Sequence, residues 1–426
     1  MKRRLAVVVG LGFVFRLWIA WLVDRSAASR GSLCLFDDTR IYWELAGQLV
    51  RGQPYVVHQY GVPHWALRPP GYPVFLALCQ NLLGSHTLPV RVVQCVLGAA
   101  CIPLAASIGR SLTRGDKYAE AVALIAAAIV AFEPFTAASS AFLLSEALFI
   151  PLFMQLIAVL CRNWSRPAAT TLGHTEYPLS LGIGMLAGAT ALVRPSILPF
   201  FVLTAIAWVV SNTAAWPRRG LLLSCAGIGM IALLGPWTAR NHARTGALIP
   251  TASWLGASLY DGLNPDADGS SNMRFLDDPW IRSLSEVEQD RYLTRSAWEF
   301  AVGNPARAAE LAIKKAGRFW SPWPNAKELS RPGVALASSL ITVPIYVFVG
   351  IGAWIKRREP ARLWLLLGPL FTTAVLHMVF VGSIRYRIPV LIPALPLAAI
   401  GLASIWWRTS SGGESLSSRA EPLDLP

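Results

Sequence analysis

The chain has 426 residues, 54% of them hydrophobic and 15% charged, with a mean hydropathy of +0.47. Soluble chains carry about 25% charged residues, so two or three soluble domains are excluded and an integral membrane protein is expected. The net charge of +14 sits in short basic clusters between apolar runs, the pattern of cytoplasmic loops rather than of a nucleic-acid-binding face.

Met1-Lys-Arg-Arg4 precedes an apolar run to Val23. Asp24-Arg-Ser-Ala-Ala-Ser29 is a poor cleavage site, so this run is expected to be a retained first span rather than a signal peptide. A span needs about 20 apolar residues. The expected spans are Leu5–Val23, Leu88–Leu112, Ala119–Phe135, Ala141–Leu160, Leu179–Val193, Ile197–Val210, Leu221–Trp237, Val334–Ile355, Leu363–Gly382 and Ile388–Trp407. With Lys2, Arg3 and Arg4 inside, ten spans also place Arg110, Arg114, Lys117, Arg162, Arg166, Arg218, Arg219, Lys356–Arg358 and Arg408 on the cytoplasmic side. Merging Leu179–Val210 into one helix would break that agreement.

Two long segments, 24–87 and 238–332, then fall on the outer side of a membrane domain covering 1–408. The tail 409–426 is rich in Ser, Gly and charge and is expected to be a disordered cytoplasmic end. In Thr39–Arg51, Ile41, Leu45 and Leu49 share a face with Tyr42, Ala46 and Val50, while Arg40, Glu44 and Gln48 form another, as in a helix lying in the membrane interface. Ser285-Glu-Val-Glu288 has the capping-box pattern, Asn304-Pro305 opens a further helix, and Glu310 and Lys314 form a favourable i,i+4 pair. Cys34, Cys79, Cys95, Cys101, Cys161 and Cys225 form no CxxC pair and read as small apolar residues.

Four polar clusters are candidates for chemistry, most of them on the outer side. In Phe36-Asp37-Asp38-Thr39, one aspartate suits a helix N-cap, and either suits a general base facing a membrane cavity. Arg68-Pro-Pro-Gly-Tyr-Pro73 is a rigid non-helical turn whose glycine permits close backbone approach, and its arginine suits a lipid headgroup or a phosphate. Glu133 and Glu146 are carboxylates in or beside spans, and Arg194-Pro195 lies between two. Arg240, Asn241, Arg385 and Arg387 stand at outer span ends. Three arginines there run against the positive-inside bias, which binding a phosphate or pyrophosphate explains, as does headgroup contact. The chain has no GxxxxGK[ST] loop, no HExxH and no histidines paired at ligand spacing, which argues against an ATP-driven pump or a zinc protease.

In order and spacing these motifs resemble the GT-C membrane glycosyltransferases, specifically the protein O-mannosyltransferase and bacterial lipid A aminoarabinose transferase family (glycosyltransferase family 39-like). The resemblance rests on Asp38-Thr-Arg-Ile-Tyr42 with Glu44-Leu-Ala46, Arg68–Pro73, Ser145-Glu146, Pro236-Trp237 through Arg240-Asn241 to Asn264-Pro265, and Arg385-Tyr-Arg387-Ile-Pro389. It covers roughly residues 5–407 and implies an all-α polytopic fold of about ten spans with juxtamembrane helices on the outer face. It further implies sugar transfer, with inversion, from a polyprenyl-phosphate donor to a hydroxyl of a lipid or glycan acceptor, such as lipid A or core oligosaccharide in a bacterial cell envelope. The site would face the periplasm or exterior from the inner membrane. Asp38 would be the base, with Asp37 its fallback. Arg68, Arg240, Arg385 and Arg387 would bind the donor phosphate, with Tyr42, Tyr72, Glu146, Arg194 and Asn241 as further site candidates. No cofactor is required, and a divalent metal is compatible. The paired acidic motif is Asp-Asp where the eukaryotic mannosyltransferases have Asp-Glu, and no carbohydrate-binding module is evident, so a lipid or polysaccharide acceptor is favoured over protein. A secondary transporter or lipid-linked sugar flippase is the main alternative, expected to show midplane polar residues and inverted repeats; a non-catalytic scaffold is the third.

Overall fold

The structure is a computed structural model that describes residues 1–29, 36–59, 61–164, 175–211, 215–325 and 332–410. The expected tail therefore lies almost wholly outside the described residues, as do Cys34 and the side chain of Asp37. Among the described residues there are helices and no strands, in keeping with an all-α polytopic membrane protein.

Eight helices among the described residues are long and apolar enough to cross a membrane: α1 (Lys2–Ser29), α4 (Thr87–Leu112), α7 (Glu146–Asn163), α8 (Glu176–Val193), α10 (Trp216–Thr245), α15 (Pro332–Ile355), α16 (Pro360–Val379) and the run Ile384–Trp406. That last run is α17 (Ile384–Leu391) and α18 (Leu395–Ser410), joined by a 3-10 turn at Ile392–Ala394. The pair α5 (Ala119–Phe132) and α6 (Pro134–Ala141) is apolar and long enough when taken together but is bent by 52°, as in a broken span or a re-entrant loop. The tenth expected span is α9 (Leu198–Ser211), which follows a 3-10 turn at Pro195–Ile197 and is shorter than the rest. Contacts set α9 antiparallel to α8. It begins beside Arg194, at the end of α8, and its Val209 carbonyl accepts from Arg219 (2.8 Å), while the neighbouring Arg218 pairs with Glu176 at the start of α8 (2.6 Å).

The bend between α5 and α6 has a specific cause. Pro134 has no N–H for the Val130 carbonyl, and the Phe135 N–H turns to the Glu133 side chain (3.1 Å), which caps α6 together with the Thr136 N–H (2.6 Å). The carbonyls of Val130 and Ala131 are taken instead by Arg16, a fully buried residue of α1, at 2.7 and 2.9 Å. Buried Arg91 of α4 donates to the Ala141 carbonyl at the far end of α6. In an apolar medium an unpaired carbonyl costs several kcal/mol, so a broken helix persists only where such donors are supplied.

Small residues bring other helices together. A Cβ on Gly184 of α8 would lie 1.8 Å from the Ala226 carbonyl of α10, and one on Gly352 of α15 would lie 1.9 Å from the Leu397 carbonyl of α18.

The long connections hold α2 (Asp37–Val50), α3 (Gly71–Leu83), α11 (Leu255–Gly262), α12 (Pro279–Ser283), α13 (Glu286–Gly303) and α14 (Pro305–Trp320). The capping box at Ser285 and Glu288 forms, Pro305 opens α14, and Glu310 meets Lys314 at 2.7 Å. Two details depart from expectation. The apolar side of α2 is buried against α3 and against Tyr55, Val57 and Leu67 rather than left bare at an interface, and Gln48 belongs to that buried side, its amide pairing with the Val56 backbone at 2.9 and 3.2 Å. The turn at Arg68–Pro70 leads directly into α3, because Pro73 falls in the first turn, where its missing N–H is harmless. Gly71 permits the expected close approach: a Cβ there would lie 2.8 Å from the Leu192 carbonyl at the end of α8.

Candidate active site

The helix ends that meet beside the long connections carry the charges. Asp38 is in the first turn of α2 and Glu146 is the first residue of α7, so both carboxylates sit where exposed N–H groups and the helix dipole favour negative charge. Neither residue caps its own helix through its side chain: α2 starts at Phe36 with no side-chain cap bond, and the Asp38 carboxylate faces arginines instead.

Arg68, held in the turn before α3, donates from Nη2 to Asp38 Oδ1 at 2.8 Å. Arg385, in the first turn of α17 under a Ser383 cap, donates from Nη1 to Asp38 Oδ2 at 2.8 Å and from Nε to Glu146 Oε1 at 2.7 Å. Arg194, at the extended end of α8, places Nη1 2.8 Å from the same Glu146 oxygen. The result is a chain of alternating charge, Arg68–Asp38–Arg385–Glu146–Arg194, with three guanidinium groups to two carboxylates and hence one net positive charge. Glu146 is 4% exposed, whereas Asp38 keeps 27% of its side chain open. Burial by itself would raise the Asp38 carboxyl. The Arg68 and Arg385 charges and the Arg385 hydrogen bond outweigh it and bring the group down to about 2.

Aromatic rings flank the guanidinium groups. Arg68 lies over Trp254 (5.1 Å), Arg385 over Phe36 (5.8 Å), and Arg194 between Phe149 and Tyr386 (5.8 Å each). Tyr42 and Tyr72 meet edge to face at 5.1 Å behind Asp38, burial raising the Tyr42 phenol, and the Tyr72 hydroxyl bonds the Gln94 amide at 2.6 Å.

The other candidates stand apart. Arg387 is 1% exposed, donates to the Phe319 and Ser321 carbonyls at 2.9 and 2.5 Å, and ties α17 to the end of α14. Arg240 donates to the carbonyls of Tyr55 (2.5 Å) and Trp65 and lies 4.8 Å over Trp237, while Asn241 joins Arg240 to the Ile249 carbonyl. Glu133 caps α6. Thus Asp38, Arg68, Glu146, Arg194 and Arg385 are brought together, with Tyr42 and Tyr72 behind them, while Arg240, Asn241 and Arg387 secure the surrounding backbone.

Three neighbours went unnoticed in the sequence: Trp254, Tyr386, and Glu286, whose carboxylate holds the chain just before Arg68. Tyr386 was within sight, inside the Arg385–Pro389 motif. The other two carry no local signal. Among the described residues no three His, Cys, Asp or Glu side chains converge.

No protein-family model matches the sequence, and no curated protein is similar to it. Solved structures are similar in fold. The oligosaccharyltransferase of Archaeoglobus fulgidus in its apo form superposes with a TM-score of 0.56 at 12% identity, over 96% of this chain and 51% of that one. The archaeal oligosaccharyltransferase AglB from the same organism, in complex with an inhibitory peptide and a dolichol-phosphate, gives 0.55 at 10% identity, over 97% and 52%. ArnT from Cupriavidus metallidurans, bound to undecaprenyl phosphate, gives 0.44 at 13% identity, over 92% and 77%. The chain spans about half the length of the oligosaccharyltransferases it matches. The likeness is one of fold, shared with the archaeal oligosaccharyltransferase over nearly the whole of this chain.

Proposed function

We propose that the protein is a membrane glycosyltransferase that moves a sugar from a polyprenyl-phosphate donor to a hydroxyl of a lipid or glycan acceptor, with inversion. The observation that carries this reading is the Asp38 carboxylate, held between Arg68 and Arg385 at the rim of the helix bundle and still partly open. A polyprenyl tail in the bilayer would bring its phosphate to these helix ends. The one net positive charge of the five groups suits an added anion, and planar guanidinium forks suit phosphate oxygens.

Asp38 takes the proton of the acceptor hydroxyl as that oxygen bonds to the anomeric carbon. The bond from that carbon to the phosphate oxygen breaks, and its electron pair leaves on the phosphate, neutralised by Arg68 and Arg385. A carboxyl held at about 2 is a weak base. Donor binding remedies this, because a phosphate competes for the same guanidinium groups and Asp38 gains basicity as they turn to it. Glu146 keeps its hold on Arg385 and Arg194 meanwhile, so the arginines stay in place.

A structure of the archaeal oligosaccharyltransferase holds zinc and sulfate. In this chain both Asp38 oxygens face guanidinium groups and the cluster is net positive, a poor donor set for a cation, so no step is routed through a metal. Flippase or transporter action would place the polar groups at midplane, whereas the network sits at helix ends. In a bacterial inner membrane the site would face the periplasm.

The test is incubation of the purified protein, and of its Asp38→Asn variant, with a panel of polyprenyl-phosphate sugars and a membrane-lipid extract. Wild type is expected to release free polyprenyl phosphate, with the variant slower by about 10²–10⁴-fold. Equal turnover by the variant would remove Asp38 as the base. Flux of lipid-linked sugar across liposomes without release would favour the flippase.

A further inference from the structure

We propose that Glu286 is a positioning residue for Arg68, acting from the second long connection on the first; this rests on the reading of Arg68 as a donor-phosphate clamp. Among the described residues 55–59 and 61–70 there is almost no regular structure, a single bridge between Val57 and His64 apart, so their shape is set by what grips them. Arg240 and Gln48 hold the carbonyls of Tyr55, Trp65 and Val56, and the stretch just before Arg68 is held at its N–H groups by Glu286, 5% exposed at the first turn of α13. Its Oε2 accepts the Trp65 N–H at 2.7 Å, and its Oε1 accepts the Ala66 N–H at 2.9 Å and the Ser253 hydroxyl.

This carboxylate is not needed by its own helix. The capping box that starts α13 uses Ser285 and Glu288. Every hydrogen bond Glu286 makes with its side chain reaches across 33 residues to Ser253 or 220 or more to the Arg68 turn. Successive backbone N–H donors on the two oxygens of one carboxylate fix the orientation of that peptide as well as its position.

Two routes lead from this clamp to the guanidinium. Along the chain, Arg68 follows Ala66 by two residues and is followed by Pro69 and Pro70, whose fixed φ leaves the turn little freedom to absorb a shift. Through space, Ser253 returns its backbone N–H to the Ala66 carbonyl at 2.8 Å, and the adjacent Trp254 ring lies 5.1 Å from the Arg68 guanidinium. Tyr55 closes the arrangement from the other side, its hydroxyl donating to the Arg68 carbonyl at 2.9 Å. Loss of the Glu286 charge therefore loosens both the backbone and the ring that aim Arg68 at Asp38 and at an incoming phosphate.

The experiment is a double-mutant cycle on the purified full-length protein, reading equilibrium affinity for undecaprenyl phosphate as the probe, for wild type, Glu286→Gln, Arg68→Ala and the pair. Glu286→Gln keeps the side-chain shape but turns an amide N–H₂ toward a backbone N–H. It is expected to weaken binding about tenfold in the wild-type background and less than about twofold once Arg68 is gone. A general loosening of the fold would weaken binding by the same factor in both backgrounds, and that result overturns the proposal, as does unchanged affinity in the single variant. Ser253→Ala removes one donor and leaves the carboxylate in place. It should show the same dependence on Arg68 with a smaller factor, and it carries the test if Glu286→Gln does not fold. If wild type binds the probe and Arg68→Ala binds it equally well, the phosphate-clamp reading falls and takes this inference with it. If Arg68→Ala weakens binding but Glu286→Gln does not, only the inference falls.

Discussion

Asp38 shows how two arginines shape one acid. In the free protein its carboxyl titrates at about 2, below the ordinary aspartate value, so its pairing with Arg68 and Arg385 contributes stability that is complete above about pH 4–5 and lost as pH falls through 2. Asp38 is then fully ionised across the working range, and the acid limb of kcat/KM, which reports the free enzyme, should not contain it above about pH 4. If a donor phosphate draws on the same guanidinium groups, as proposed, the acid limb of kcat is expected at higher pH than that of kcat/KM. Coincident limbs in the two profiles would contradict competition between phosphate and Asp38 for the arginines. At this scale the sequence was informative about residue type and less so about direction. Arg385 and Arg387 look equivalent as letters, yet residues two apart on a helix are turned about 200° from each other. One therefore meets Asp38 and Glu146 while the other meets the carbonyls of Phe319 and Ser321.

Among the elements, the broken pair α5–α6 is the most dependent on its neighbours. Pro134 and the Glu133 cap explain locally why α5 stops and α6 starts. What allows the break inside an apolar bundle is non-local: Arg16 of α1 on Val130 and Ala131, and Arg91 of α4 on Ala141. Arg16→Leu is expected to lower stability in detergent by roughly 2–4 kcal/mol, because two buried carbonyls lose a charged donor. Denaturation midpoints of the purified variant check this; a value within about 0.5 kcal/mol of wild type would show that other groups satisfy those carbonyls. Both arginines lie inside expected spans, and an intramembrane arginine is itself a signal, but hydropathy averaging conceals a single charge among twenty apolar neighbours. The reverse error occurred at α3, where the prolines at 69, 70 and 73 suggested an irregular turn although the third is tolerated at the helix start.

Over the whole molecule, the network of Asp38, Arg68, Arg385, Glu146 and Arg194 joins the end of the bundle that bears both long connections. The opposite end gathers basic residues: Arg110 approaches Met1, Arg162 meets Ser107, and Arg362 meets Ser111 and Glu359. This separation underlies the proposed orientation, with the basic end cytoplasmic. A membrane-impermeant maleimide applied to intact cells is expected to label Glu299→Cys, on exposed α13, above the wild-type background, and to label Arg357→Cys only after permeabilisation. The opposite pattern would invert the topology and place the site inside.

Composition and apolar spacing alone determined that the chain is a helical membrane protein, because the bilayer demands long apolar runs and self-satisfied backbones; they led to ten expected spans, where the described residues hold eight helices long and apolar enough to cross, or nine with the bent pair. The polar motifs, rare in such a setting, already marked Asp38, Arg68, Glu146, Arg194 and Arg385. Which of the marked residues share a site was decided only by tertiary structure. Helix rotation separates Arg385 from Arg387, and the packing of residues from distant parts of the chain turns Arg240 into a backbone anchor and Glu286 into the clamp behind Arg68. Side-chain direction and long-range hydrogen bonds leave no periodicity in a sequence, and these are what join five scattered charges into one network.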